Sequence, residues 1–134
     1  MFDELSNRVI AAAIQVHTAL GPGFMEGVYE QALKIELANR GIRFESQKQI
    51  AVSYEGRVVG THVLDLLVQN VLVVELKAVT RLDEVHHAQV RAYLRASGAR
   101  VGLLLNFNCP KLTIKRLVLD YVEGAESIEH TLSK

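Results

Sequence analysis

Two nearly continuous apolar strands constrain this chain most: residues 57–68, which end in VLDLLV, and VLVVELKAV at 71–79. Each is rich in Val and Leu, so each reads as a strand. A strand with no polar alternation has no face to give to water. Such strands belong to a sheet covered on both faces, and the cover must come from helices.

The flanking sequence supplies them. Leu5, Val9, Ala12, Ala13, Val16 and Leu20 recur at helical spacing and predict a helix over 3–20, capped by Asp3. Gly21-Pro22-Gly23 stops it. A second helix is expected over 25–40, with Val28, Ala32 and Ile35 on its main buried face, Leu33 and Leu37 widening it, and Gly41 ending it. The period then changes to two. Strands are expected over 47–54 and 57–68 around a turn at Glu55-Gly56, and over 71–79 after a turn at Gln69-Asn70. A third helix follows over 83–97, stopped by Gly98, then strands at 101–107 and 112–119. The order is helix, helix, three strands, helix, strand, strand. With 134 residues the chain fits a single domain, 1–134, with 120–134 as a polar C-terminal tail.

Three charged residues interrupt the apolar strands: Asp65, Glu75 and Lys77. Glu75 and Lys77 are two apart and share a face. A hairpin turning about Asn70 puts Asp65 opposite Glu75. Carboxylates inside a covered sheet cost several kcal/mol each unless paired or metal-bound, and two side by side repel. A divalent cation relieves both problems, and Mg²⁺ or Mn²⁺ suits two carboxylates in a half-open cleft. Lys77 beside them can orient the attacking water or stabilise charge on a phosphate. The plainer alternative is a salt bridge from Lys77 to Asp65 or Glu75.

Glu26, in the first turn of the second helix, reads either as helix-dipole electrostatics or as a third acid aimed at the metal or its water. Tyr29 serves as core or as a hydrogen-bonding wall. Gln89, Tyr93 and His86 share one face of the third helix, a stripe that holds substrate if it lies near the acids and otherwise packs as an amphipathic face. His17, His62, His87 and His130 show no ligand spacing, and the adjacent His86 and His87 point apart.

Bulk properties narrow the class. No apolar run approaches a membrane span, the acidic start lacks a signal peptide's basic region, and one cysteine excludes an internal disulfide and a Cys-based zinc site. A cytoplasmic location is expected. The net charge is zero, yet 81–116 carries seven basic and two acidic residues, a net +5. That stretch reads either as a phosphate-facing surface or as a solvated helix face and a guarded edge strand.

Gly23-Phe24-Met25-Glu26-Gly27-Val28-Tyr29 matches the motif of the GxxExxY proteins. AAIQVHTALGPGF before it, DLLV, VVELKAV, VHHAQVRAYL and VGLLLNF after it extend the match over about 5–119. The chain thus resembles that family, which is similar to the PD-(D/E)xK nuclease superfamily. The resemblance implies a restriction-endonuclease-like αβββαβ core with an extra N-terminal helix and a mixed central sheet flanked by helices. It implies a magnesium-dependent site cutting phosphodiesters in nucleic acid, DNA before RNA. Asp65, Glu75 and the Leu76 backbone carbonyl would hold metal, Lys77 would be the site lysine, Glu26 the helix acid, and Gln89 with Tyr93 the QxxxY element. Many relatives carry arginine two residues before the strand aspartate, where this chain has Val63. The rival expectations are a non-catalytic nucleic-acid-binding domain and a protein-interaction module on the same fold. A chain this short is expected to need a second copy or a partner protein to reach both strands of a duplex.

Overall fold

A computed structural model describes residues 2–119. The expected tail at 120–134 lies outside the described residues. Eight elements follow in the expected order: α1 Phe2–Leu20, α2 Glu26–Asn39, β1 Phe44–Tyr54, β2 Arg57–Val68, β3 Leu72–Lys77, α3 Glu84–Ser97, β4 Val101–Asn106 and β5 Thr113–Val118. The strands form one sheet in the order β1-β2-β3-β4-β5. Only β3 and β4 run parallel, and α3 makes the crossover between them, so the sheet is mixed.

Helices cover both faces, as the apolar runs require. On one face α1 and α2 bury Leu5, Val9, Val16, Tyr29, Leu33 and Leu37 against Leu66, Val74, Leu76, Leu103 and Leu105. On the other, Val90 and Leu94 of α3 close over Leu64, Leu67, Val73 and Leu104. α3 lies so close that a Cβ on Gly102 of β4 would stand 2.9 Å from Val90 Cγ1.

Several expectations need correction. α1 begins at Phe2, so Asp3 is within the helix and does not precede it as a cap. The buried face of α2 is Tyr29, Leu33 and Leu37, while Val28 and Ile35 are exposed. The reason is Tyr29. Its ring stacks on Phe107 with centroids 4.6 Å apart, its hydroxyl donates to Gly21 O at 2.6 Å, and it accepts from Phe24 N–H at 3.1 Å. This rotates α2 about its Tyr29 edge. β1 starts at Phe44, earlier than expected, because it pairs along the length of β2 from Phe44–Val68 onward. β3 stops at Lys77, two residues early. Beyond it the Asn106 side chain substitutes for a strand, accepting from Val79 N–H at 3.0 Å and donating to Val79 O at 2.9 Å. Finally, β2 is covered only from about Leu64 onward. The outer halves of β1 and β2 form an exposed hairpin carrying Val52, Tyr54, Val58 and Val59.

Tyr29 therefore fixes how α2 enters the fold, and with it the placement of Glu26. Replacing Tyr29 with Phe keeps the ring but strands the Gly21 carbonyl and the Phe24 amide. A loss of about 1–3 kcal/mol is expected from urea unfolding; an unchanged midpoint would show that these two hydrogen bonds are dispensable.

Candidate active site

β2 and β3 pair regularly from the Gln69-Asn70 turn, where both residues have positive φ, as far as Leu66–Val74. There the ladder ends and two side chains take over. Asp65 N–H donates to Glu75 Oε2 at 3.0 Å, and Leu76 N–H donates to Asp65 Oδ2 at 2.9 Å. Each carboxylate accepts from the opposite strand, so the strands are tied through their acids while the backbones part. Leu76 N–H points towards β2. In an extended strand a residue's carbonyl points to the same side as its N–H, so the Leu76 carbonyl also faces the gap.

The electrostatics are those of an uncompensated pair. Glu75 is only 5 % exposed. Burial first, then the charge of Asp65, push its pKa from 4.5 up to about 8, against the lowering influence of the Asp65 amide and Lys77. Lys77 follows two residues on, half-buried on the same strand face. Among the described residues no salt bridge within 4.0 Å joins it to a carboxylate. The alternative of a Lys77 salt bridge to Asp65 or Glu75 is therefore not what the structure shows.

Glu26 and Tyr93 stand within electrostatic reach of the pair. Glu26 opens α2, with much of its side chain exposed. Its pKa is raised, first by partial burial of the carboxyl and then by Asp65, and lowered by Lys77. Tyr93 is raised by burial, then by Glu75 and Asp65. The Gln89 Oε1 atom, one turn before Tyr93, is buried with no partner. His86 has a different occupation: its Nδ1 accepts from Asp83 N–H at 2.9 Å and completes a capping box at the start of α3. That leaves only its Nε2 for anything else.

His62 is the residue that spacing did not single out. Its ring stacks on Tyr93 with centroids 3.6 Å apart and 18° between planes, and its Nε2 is buried without a partner. Burial lowers its pKa and favours the neutral ring, against the pull of Asp65 and with the push of Lys77. The signal was hidden by a break in strand alternation. Leu64 and Leu67 both face α3, while Leu66 and Val68 face α1 and α2. The break falls at Asp65, and Gln47, the β1 residue that passes it without pairing, has φ 52°. His62 thus stands within electrostatic reach of Asp65 although the two are three positions apart.

The donor set suits a divalent cation in part. Two carboxylates are held close, no backbone donor among the described residues reaches Asp65 Oδ1 or Glu75 Oε1, and the Leu76 carbonyl lies on the side of its own N–H, towards the gap. Among the described residues no three His, Cys, Asp or Glu side chains cluster closely enough to enclose a metal, so Glu26 is not a third member of such a group. Two carboxylates and a carbonyl fit a hard ion that keeps most of its own waters, as Mg²⁺ does. They do not fit a closed zinc site.

Helices on both faces of a mixed sheet whose centre parts around two acids and a lysine define a restriction-endonuclease-like α/β domain. The chain belongs to the PD-(D/E)XK nuclease superfamily, whose family model matches residues 3–117. Nucleic acid is the substrate class of that superfamily. A solved structure entitled "Crystal structure of SSO0001" has the same fold with a TM-score of 0.57, at 17 % identity over 78 % of this chain. The chain spans 55 % of the length of that protein. No curated protein matches the sequence. No helix among the described residues is long and apolar enough to cross a membrane.

The raised pKa of Glu75 has a thermodynamic consequence. The folded protein binds the Glu75 proton more tightly than the unfolded chain does. The stability linked to it is full below pH 4.5 and is lost as pH rises through about 8. In EDTA, Glu75→Gln removes this loss while keeping a carbonyl to accept from Asp65. The substitution is expected to raise the urea midpoint at pH 8.5 and to change it little at pH 5; equal midpoints at pH 8.5 would contradict the strained pair.

Proposed function

We propose that this chain is a metal-dependent nuclease of the GxxExxY type that hydrolyses phosphodiester bonds, with DNA as substrate before RNA. The observation that carries this reading is the mutual capture of Asp65 and Glu75 by opposing backbones, with Lys77 beside them and in no salt bridge among the described residues. Such an arrangement buries two mutually repelling carboxylates, which Lys77 offsets only in part.

The motif residues support the subfamily. Gly23 has φ 115°, which favours glycine. Tyr29 closes the turn onto Gly21, and Glu26 sits within electrostatic reach of Asp65 and Lys77.

Asp65, Glu75 and the Leu76 carbonyl would hold Mg²⁺ or Mn²⁺. When bound, the ion supplies Lewis-acid stabilisation of charge on the phosphodiester. The chain does the rest. The two backbone amides fix the carboxylates, so their free oxygens are already oriented before substrate arrives. Lys77 places an ammonium where charge builds on the phosphate or the attacking water. Glu26, standing back from the pair, orients water from the α2 side. Gln89 and Tyr93, with His62 stacked on the latter, bound the substrate from the α3 side. Val63 leaves the position two residues before Asp65 without a cation, so phosphate contact falls to Lys77.

Labelled single-stranded, duplex and branched DNA and RNA, incubated with Mg²⁺, Mn²⁺ or EDTA, test this reading. Wild type is expected to cut with either metal and not in EDTA. Asp65→Asn and Lys77→Ala are each expected to lower the rate by about 100-fold or more with the fold retained. Cutting that survives Asp65→Asn would remove the assignment. Salt-sensitive binding with no cutting by wild type would favour the non-catalytic binding domain.

A further inference from the structure

Beyond the acids, α3 and the exposed hairpin enclose a second cleft. It has a volume of about 410 Å³ and is lined by Ala51, Val52 and Ser53 of β1 and by Ala92, Arg95 and Ala96 of α3. Its place in the fold is specific. Ile50 of β1 pairs with His62, and Val52 pairs with Gly60 two residues further out. Along the hairpin the His62–Tyr93 stack therefore lies between the level of the acids and that of this cleft. On α3, Tyr93 borders the acids and its neighbours Ala92 and Arg95 line the cleft. The carboxylate pair, the stacked rings and the cleft thus follow one another along the β1–β2 hairpin.

Its chemistry is that of a strand-binding groove. The lining side chains are small, so the walls stand apart without filling the space. Arg95 is exposed and makes no ion pair or side-chain hydrogen bond among the described residues, unlike Arg91 on the same helix, which lies 3.9 Å from Glu84. Tyr54 lies two residues beyond Val52, past a break in the β1–β2 register between Val52 and Ser53, and is 67 % exposed. Arg57 pairs with it across the hairpin and is also exposed. An exposed aromatic with unpaired guanidinium groups is what a single strand needs: a platform for a base and cations for its phosphates. A duplex offers no unstacked base to such a platform. The cleft is also of a size to take a single nucleotide-sized group.

We infer that the β1–α3 cleft binds a single strand of nucleic acid flanking the scissile phosphate, with Arg95 on a phosphate and Tyr54 stacked on a base. The direction of the strand rests on the nuclease reading above; binding in the cleft does not require catalysis. The strand leaves the acids over His62 and Tyr93 and enters between Ala51 and Ala92.

Fluorescence anisotropy tests this with the full chain, a fluorescein-labelled 12-nucleotide oligothymidylate and EDTA present. Wild type is expected to bind it more tightly than a duplex of equal length. Arg95→Ala is expected to weaken binding severalfold and to flatten the slope of log K against log salt by about 0.7. Tyr54→Ala is expected to weaken it about tenfold with the salt slope unchanged. Ala92→Glu, which puts a carboxylate into the cleft, is expected to abolish it. Arg43→Ala, exposed near the other end of β1, serves as the control and is expected to bind as wild type. Hydrolysis of bis(p-nitrophenyl) phosphate, too small to need the cleft, is run on the same proteins. Loss of strand binding in the Arg95 and Tyr54 variants supports the cleft whether or not wild type hydrolyses the small diester. Wild-type affinity in both variants overturns it, as does a wild type that binds no single strand or prefers the duplex. Hydrolysis of the small diester that is absent while strand binding holds would instead overturn the catalytic reading alone.

Discussion

Asp65 and Glu75 each accept a backbone hydrogen bond from the strand that carries the other, and the rest of the site depends on this exchange. It ends the β2–β3 ladder without leaving amides orphaned, which a buried sheet does not tolerate. It also opens the centre of the sheet, because a side chain spans more than a backbone carbonyl. Burial then keeps the two carboxylates in a medium that cannot screen them, and the pKa of Glu75 rises to about 8. The fold thus keeps a proton on Glu75 that an entering cation can replace. Local instability at a site that awaits a ligand is a familiar exchange between stability and activity.

The surrounding elements serve to hold that gap. The apolar strands give it two covered faces. Tyr29 clamps the Gly21–Phe24 turn and sets α2 so that Glu26 faces the acids. The Asn106 amide ties Val79 to the end of β4 and steadies the chain just beyond Lys77. α3 approaches the sheet closely because Gly102 has no side chain, and Tyr93 on it stands within electrostatic reach of the acids. The same approach leaves the cleft between α3 and the hairpin.

What the sequence revealed and concealed follows from these physics. Asp65, Glu75 and Lys77 were legible because charge inside an apolar strand is costly and therefore conspicuous. The element order was legible from period changes and from Gly21-Pro22-Gly23. The buried face of α2 was misread because a tyrosine outcompeted Val28 and Ile35: one stacked, doubly hydrogen-bonded ring decided the rotation, and apolar counting has no weight for that. His62 was missed because alternation slips at Asp65, and a slip cannot be seen without the partner strand. Val58 and Val59 belong to a strand whose apolar run suggested cover on both faces, yet with Val52 and Tyr54 they lie on a hairpin extending past the helices that could cover them.

Calorimetric titration of Mn²⁺ into the protein at pH 7, in two buffers of different ionisation enthalpy, tests the carboxylate pair most directly. A cation entering this site must displace the proton that Glu75 carries below about pH 8. The account predicts binding at one site with release of close to one proton per ion, and loss of both in Glu75→Gln. Binding with no proton released, or equal affinity in wild type and Glu75→Gln, would contradict it.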